Sequence, residues 1–208
     1  RVFDESEPPQ PARTLVSQRK KLEQVHVLLG MPGVPKTHRW RFAIALLNQL
    51  WGGSMSSRLF QKIREQKGLA YTIYSYPTSY ADTGYFALYA GTSADASAQV
   101  AKLVLEELAL IRREGFTKAE FKRAKDQIRG NYLLGQESTG SRSSAIGKAE
   151  LLLGKVIEEE ELLARLENVS EQDVRDIIPV VLDEQKLCAS IVGRLGKESK
   201  EIETMVIG

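Results

Sequence analysis

The chain has 208 residues, of which 42% are hydrophobic and 27% charged, and its formal net charge at pH 7 is +2. This length and composition predict a single domain with a full hydrophobic core and exclude an intrinsically disordered chain. Because lysines and arginines are interleaved with acids, no basic face for nucleic acid is expected. No apolar run is long enough to predict a membrane span.

The first residues predict a segment outside the domain. Residues 1–19 contain Pro8, Pro9 and Pro11 among scattered charges, without periodicity, which is typical of a linker or an extended arm. Because the chain starts without an initiator methionine, we expect that another segment precedes it. The domain itself is expected over residues 20–195, followed by a tail over residues 196–208.

A strand and two helices are predicted next. In residues 22–31, apolar and polar residues alternate at first and a continuous apolar run follows. This pattern is typical of a strand whose two faces both become buried. A first helix is expected over residues 40–50, ending before Gly52 and Gly53. A second helix is expected to begin near Ser56, whose hydroxyl can cap it, and to end at Gly68, which suits the left-handed position after a helix.

The remaining elements predict the fold class. Residues 69–76 and 83–91 are expected to form a hairpin, and residues 185–193 a final strand, with the single cysteine, Cys188, as a buried thiol. Helices are expected between them over residues 93–113, 117–136, 139–153, 158–166 and 170–178. This order predicts an α+β domain with an antiparallel or mixed sheet and helices packed on one face.

Few patterns indicate catalysis or metal binding. The glycine spacing in residues 135–142 is similar to that of a phosphate loop, but the lysine is absent, so a break between helices is the preferred interpretation. No Gly-x-Ser-x-Gly element occurs. The histidines, His26 and His38, belong to neither a His-x-x-Glu-His nor a His-x-x-x-His zinc pattern. We expect His26 to be a half-buried strand residue and His38 to be exposed.

Arg64 and Tyr71 lie seven positions apart, on either side of Gly68. Two interpretations are open. Arg64 could simply lie in the last turn of a helix, where a positive charge interacts favourably with the helix dipole. Tyr71 could be one more aromatic residue in a strand. Alternatively, a rigid helix-to-strand junction could present a guanidinium group and a phenol to a ligand.

The segment from Gly52 to Tyr71 reads Gly-Gly-Ser-Met-Ser-Ser-Arg-Leu-Phe-Gln-Lys-Ile-Arg-Glu-Gln-Lys-Gly-Leu-Ala-Tyr. It closely resembles the C-terminal half of the pitrilysin/insulinase-like zinc peptidases, especially the branch of mitochondrial processing peptidase and its bacterial relatives. The resemblance covers about residues 20–194. It implies one half of a clamshell that closes around a peptide, in which Arg64 and Tyr71 act on the substrate carbonyl and its developing oxyanion.

The same resemblance implies a divided metalloendopeptidase site. No cofactor is expected in this chain, because zinc and the general base belong to an N-terminal half or a partner subunit. The expected partners are that zinc-bearing half and a peptide substrate, and a homodimer is an alternative. The chain alone is not expected to cleave peptides. The sequence does not specify a compartment; a soluble protein is expected, cytoplasmic or periplasmic if bacterial.

Three arrangements would explain the absence of a zinc motif. The chain could be a C-terminal fragment of a two-half peptidase, a separate non-catalytic subunit, or a relative that lost catalysis. We favour the fragment because Arg64 and Tyr71 are both present. The alternative from another class is a structural or interaction subunit of the same fold, like the core subunits of respiratory complexes.

Overall fold

The computed structural model describes residues 13–207, except for the side chains of Leu152 and Leu153. The strands are β1 (Thr14–Arg19), β2 (Val25–Pro32), β3 (Ala70–Ser79), β4 (Gly84–Thr92) and β5 (Cys188–Gly193). The α-helices are α1 (Arg41–Trp51), α2 (Ser97–Glu114), α3 (Lys118–Gln136), α4 (Thr139–Leu153), α5 (Glu159–Glu167), α6 (Glu171–Val181) and α7 (Glu198–Ile207). A π-helix (Phe60–Gln66) precedes β3, and a 3₁₀ turn (Glu184–Lys186) precedes β5.

The five strands form one mixed sheet in the order β1-β5-β2-β4-β3. β1 runs parallel to β5, and the other neighbouring strands are antiparallel. Along β2, buried residues alternate with half-buried ones, and β5 alternates in the same way. Alternation of this kind shows that only one face of the sheet is covered. The predicted α+β fold, with a mixed sheet and helices on one face, is confirmed.

The core lies between the sheet and the helices. α2 and α6 contact β2, α1 contacts β3, and α7 contacts β1 and β5. Trp51 at the end of α1 and Phe86 in β4 are fully buried, and their ring centroids are 5.7 Å apart. Each large apolar side chain buried in this layer stabilises the fold by roughly 1.5–3 kcal/mol.

The domain extends beyond the ends that the sequence predicted. Residues 14–19, expected in the arm, form β1, in which Thr14 pairs with Cys188 and Arg19 with Gly193. Glu198–Ile207, expected in the tail, forms α7 and buries Ile202 and Val206. β1 is an edge strand with mostly exposed residues, so its sequence shows no clear apolar alternation. The rest of the predicted arm, residues 1–12, lies outside the described residues.

Two predicted helix starts are observed with their caps. The Thr117 hydroxyl accepts a hydrogen bond from the Glu120 N–H at 3.2 Å, while the Glu120 carboxylate accepts from the Thr117 N–H at 2.8 Å. Ser170 and Asp173 form the same reciprocal pair at the start of α6. Capping boxes are local interactions, so the sequence reveals them directly.

Gly52 lies where the end of α1 meets β3. Its carbonyl accepts a hydrogen bond from the Ser75 N–H at 3.1 Å, and a β-carbon at Gly52 would lie 2.9 Å from that same nitrogen. The Ser75 hydroxyl also donates to Asn48 Oδ1 at 2.7 Å. The close approach of α1 to β3 therefore requires a residue without a side chain.

We predict that Gly52→Ala lowers the free energy of unfolding by about 1–3 kcal/mol, because the added methyl group has to push β3 away from α1. The control is Gly130→Ala within α3, where nothing lies within 4 Å of the added carbon. This control should stabilise the helix by about 0.5–1 kcal/mol. Urea denaturation followed by circular dichroism measures both changes. Equal effects of the two substitutions would contradict the close-approach argument.

Candidate functional site

The chain between Phe60 and Tyr71 forms a fixed helix-to-strand junction. After the π-helix, Gly68 adopts the predicted left-handed conformation with φ 62°. The Gly68 N–H donates to the Arg64 carbonyl at 3.1 Å, and the Leu69 N–H donates to the Ile63 carbonyl at 3.0 Å. These bonds satisfy carbonyl groups that the end of a helix would otherwise leave free. They also fix the direction in which the chain enters β3.

The helical turn before this stop differs from the prediction. Residues 60–66 form a π-helix, a conformation that is rare and frequently found at functional sites. The Ser56 hydroxyl, expected to cap the helix, instead donates to the Gln127 side chain of α3 at 3.1 Å. The Ser57 hydroxyl is buried and donates to the Ser54 carbonyl at 2.5 Å. The serines therefore hold the loop between α1 and the π-helix.

Arg64 lies in the last turn of the π-helix, and its side chain is exposed. Its guanidinium carbon lies 5.0 Å from the centroid of the Phe60 ring. Within the described residues, the guanidinium group makes neither a side-chain hydrogen bond nor an ion pair. A positive charge at this end of the helix interacts favourably with the helix dipole. In the described part of the chain, all N–H groups of the guanidinium remain free for a ligand.

Tyr71 lies in an irregularity at the start of β3. Ala70 pairs with Thr92 and Thr72 with Gly91, so Tyr71 is left without a partner in β4. The Thr92 hydroxyl donates to the Leu69 carbonyl at 2.5 Å and anchors the chain just before this bulge. A bulge of this kind redirects a side chain. The Tyr71 side chain is 62% exposed.

The structure thus places Arg64 and Tyr71 at one junction. In the described part of the chain, no hydrogen bond joins their side chains. A cavity of about 760 Å³ lies between α1, α3, α4 and α5, but neither Arg64 nor Tyr71 lines it. The junction is therefore an open surface that solvent reaches.

An ion-pair network lies beneath the junction. Arg58 binds both carboxylate oxygens of Glu120 in α3, at 2.7 Å and 2.9 Å, and contacts Glu107 in α2 at 3.4 Å. Lys62 donates to the other oxygen of Glu107 at 3.0 Å. The Glu107 side chain is only 3% exposed, so its charge requires these partners. The network ties the start of the π-helix to two helices of the core.

No pattern in the sequence directly indicates this network. Arg58 belongs to the motif on which the resemblance rests, but Glu107 and Glu120 lie 49 and 62 residues further along the chain. Only the fold brings them together. Paired charges of this kind hold a segment in place, whereas Arg64, which has no ion pair within the described residues, remains available to a ligand.

The network strongly changes the acidity of Glu120. Its hydrogen bond from Arg58 is the largest cause that lowers the pKa of Glu120, from 4.5 to about 2, and hydrogen bonds from Thr117 add to the effect while burial opposes it. The pKa of Arg58 is raised, chiefly by the same hydrogen bond to Glu120. Both groups are therefore charged at neutral pH.

The two histidines already have partners. His26 Nδ1 and the Tyr89 hydroxyl are 2.6 Å apart, and His38 Nδ1 accepts a hydrogen bond from the Trp40 N–H at 3.2 Å. Within residues 13–207, no group of three or more His, Cys, Asp or Glu side chains is arranged to hold a metal ion. The donor set of these residues therefore does not fit zinc.

Residues 135–142 form the predicted helix break. α3 ends at Gln136 and α4 starts at Thr139, and the Ser138 hydroxyl accepts from the Ser141 N–H at 3.3 Å. None of the helices in the described chain combines the length and the apolarity needed to cross a lipid bilayer.

Comparisons with known proteins agree on one family. The family model described as the peptidase M16 inactive domain matches residues 1–128. An uncharacterized zinc protease of Streptomyces coelicolor is 42% identical over 176 residues, which cover 85% of this chain and 38% of that protein. The uncharacterized zinc protease YmxG of Bacillus subtilis is 40% identical over 176 residues, covering 85% of this chain and 43% of its own length.

A solved structure has the same fold. The crystal structure of a peptidase M16 inactive domain from Pseudomonas fluorescens superposes with a TM-score of 0.83 at 22% identity, over 92% of this chain and 46% of the other. This chain therefore spans less than half the length of each of these three proteins.

We predict that the Arg58–Glu120 pair makes the free energy of unfolding fall as the pH is lowered. The pKa of Glu120 is lowered on folding, so its contribution is complete above about pH 4.5 and is lost as pH falls towards 2. In wild type, the pair should contribute roughly 1–2 kcal/mol to the free energy of unfolding at neutral pH, after allowance for screening by solvent, and this contribution should disappear in acid. Glu120→Gln should lack this pH-dependent contribution. Urea denaturation at pH 7, 5, 4 and 3 measures it.

The matched control is Glu106→Gln in α2, whose carboxylate is half-exposed and lies 4.0 Å from Lys102. It should leave the pH dependence of wild type almost unchanged. A Glu120→Gln protein that loses stability between pH 5 and 3 as steeply as wild type would contradict the role of the pair.

Proposed function

Because this chain belongs to the peptidase M16 inactive-domain family and forms the C-terminal half of such a peptidase, we propose that it completes the peptide-binding chamber of a zinc metalloendopeptidase. In this proposal, Arg64 and Tyr71 act on the substrate carbonyl. Zinc and the general base would belong to another half or subunit, since no group of three or more His, Cys, Asp or Glu side chains in residues 13–207 is arranged to hold a metal ion.

The observation that carries the proposal is the exposure of Arg64 and Tyr71 at a fixed junction, where neither side chain makes a hydrogen bond or an ion pair within the described residues. The backbone on both sides of Gly68 is held by hydrogen bonds, while the Arg64 guanidinium and the Tyr71 phenol point to solvent. Groups that are held by rigid elements need little reorganisation when a substrate binds.

The chemistry of peptide hydrolysis explains both residue types. Attack on a peptide carbonyl places negative charge on its oxygen, and a phenol such as that of Tyr71 can donate a hydrogen bond to it. The guanidinium group of Arg64 can hold a neighbouring carbonyl or orient the phenol, because it has several donors in a planar arrangement. The open surface around them agrees with a site that closes only when the other half is present.

The lengths of the relatives agree with a divided site. The relatives from Streptomyces coelicolor and Bacillus subtilis are named as zinc proteases, and this chain covers 38% and 43% of them. The metal-binding residues would therefore lie in the part of such a protein that this chain does not match. A His-x-x-Glu-His motif encoded upstream in the same reading frame, or in an adjacent gene, would support this division. Its absence from both would contradict it.

We predict that this chain restores cleavage of a fluorogenic peptide when it is mixed with the part of the Bacillus subtilis relative that lies outside the match. Tyr71→Phe should bind that part normally, with kcat lowered about 10²–10³-fold, because one donor to the oxyanion is lost. KM should change little. Initial rates over a series of peptide concentrations separate the two parameters.

The control is Tyr80→Phe, which removes the hydroxyl of a tyrosine that is 52% exposed and lies outside the junction. Its kcat should equal that of wild type. Equal turnover by Tyr71→Phe and wild type would exclude the donor role of Tyr71. Failure of wild type to restore any cleavage would contradict the completion of the chamber.

A further inference from the structure

The cavity between α1, α3, α4 and α5 has the size of a small-molecule site. Its volume is about 760 Å³, and clefts that bind small molecules in proteins measure about 300–1,000 Å³. Apolar side chains form most of its wall, and Pro77 and Ser79 of β3 also line it. Neither Arg64 nor Tyr71 does, so the cavity is separate from the pair on which the proposed function depends. We call it the helix cavity.

Helix α4 turns Ala145, Ile146 and Ala149 towards the helix cavity. These residues recur at three- and four-residue steps and all line it, so they form one face of the helix. Over residues 139–151, Ala149 is half-buried and the others are exposed. Helices in proteins owe most of their stability to the packing of such a face. An apolar molecule in the helix cavity would therefore give α4 a packed face.

The wall of the helix cavity has an excess of positive charge. Its cations are Lys36, Arg41, Arg142 and Lys148, and its acids are Glu158 and Glu159. Four cations against two acids leave an excess of two positive charges. The acids lie at the start of α5, where the helix dipole favours negative charge. Across residues 13–207, none of the four cations makes an ion pair, so their charge is available to an anion.

Arg41 is the cation with the clearest need of an anionic partner. It is the first residue of α1 and half-buried, and its guanidinium carbon lies 4.7 Å from the centroid of the Phe42 ring, which also lines the cavity. Burial is the main cause that lowers the pKa of Arg41, and the charge of Arg165 lowers it further, while Glu161 raises it. A partly buried guanidinium group is costly unless an anion pairs with it.

We propose that the helix cavity binds a single-chain carboxylate amphiphile, the chemistry of a free fatty acid. The carboxylate pairs with Arg41, because a guanidinium group binds a carboxylate through parallel hydrogen bonds. The apolar chain lies between α1 and α4, against Phe42, Ala145 and Ile146. A peptide fits less well, because its backbone N–H and C=O groups need partners that a mainly apolar wall does not supply.

Isothermal titration calorimetry of this chain with dodecanoate, below its micelle concentration, tests the proposal. Dodecanoate should bind with a dissociation constant of about 100 µM or lower. Dodecyltrimethylammonium has the same chain with a positive head group, so it should bind at least about tenfold more weakly. This comparison separates recognition of the carboxylate from simple adsorption of an apolar chain.

Arg41→Met removes the positive charge while it keeps a long apolar side chain. It should raise the dissociation constant of dodecanoate at least about tenfold, because a charge-assisted hydrogen bond is lost. The matched control is Arg39→Met, two residues earlier, whose guanidinium carbon lies 4.3 Å from the centroid of the Trp40 ring and which does not line the helix cavity. It should bind dodecanoate as wild type does.

A second pair of variants tests the place of the apolar chain. Ala145→Phe fills part of the helix cavity and should also weaken dodecanoate binding at least about tenfold. Ser144→Phe adds the same ring at an exposed position of α4 outside the wall and should leave binding unchanged. Far-UV circular dichroism confirms that each variant is folded.

Amide hydrogen exchange followed by mass spectrometry tests the coupling to α4. Dodecanoate should slow exchange over residues 139–151 of wild type, because the helix gains a packed face, and should not slow it in Arg41→Met at the same concentration. Exchange in α2, which does not line the helix cavity, should stay unchanged in both proteins.

Four results would overturn the proposal. The first is no binding of dodecanoate up to about 1 mM. The second is equal binding of dodecanoate and dodecyltrimethylammonium, or equal effects of Arg41→Met and Arg39→Met. The third is binding that leaves exchange in α4 unchanged. The fourth is tighter binding of acetyl-Leu-Leu-Leu with a free carboxylate than of dodecanoate, since the occupant would then be a peptide.

Discussion

The buried carboxylate of Glu107 is the constraint on which the junction depends. A charge that is 3% exposed is tolerated only with close partners, and both of its partners, Arg58 and Lys62, belong to the segment that carries the π-helix. Arg58 also binds Glu120 in α3 through two parallel hydrogen bonds. Because the carboxylates of α2 and α3 bind Arg58 and Lys62, they hold the π-helix in position. The point at which the chain enters β3 is fixed as a result.

This arrangement separates the residues that hold the junction from those that face solvent. The charges beneath it are paired, and the glycines and serines around it pack against α1, α3 and β3. Arg64 and Tyr71 keep their polar side-chain groups unengaged within the described residues, as do the exposed Glu65, Gln66 and Lys67 between them. Under the proposed function, this junction is one surface of an active site that a second half completes.

Local interactions made part of this structure predictable from the sequence. The capping boxes at Thr117 and Ser170 and the left-handed Gly68 involve residues within one turn, so the helix starts and the junction were located correctly. β1 was missed because its parallel pairing with β5 joins distant segments, and an edge strand has no buried alternation. The charge network is equally non-local, and Arg64 and Tyr71 were identified by resemblance rather than by their own chemistry.

Amide hydrogen exchange at Gly68 and Leu69, resolved by NMR, tests most directly whether the charge network holds the junction. These two N–H groups donate to Arg64 and Ile63, so their protection reports the closing bonds of the π-helix. In Arg58→Met, exchange at both should become at least about tenfold faster, while exposed Arg123→Met leaves it unchanged. Unchanged protection at Gly68 and Leu69 in a folded Arg58→Met protein would contradict this account.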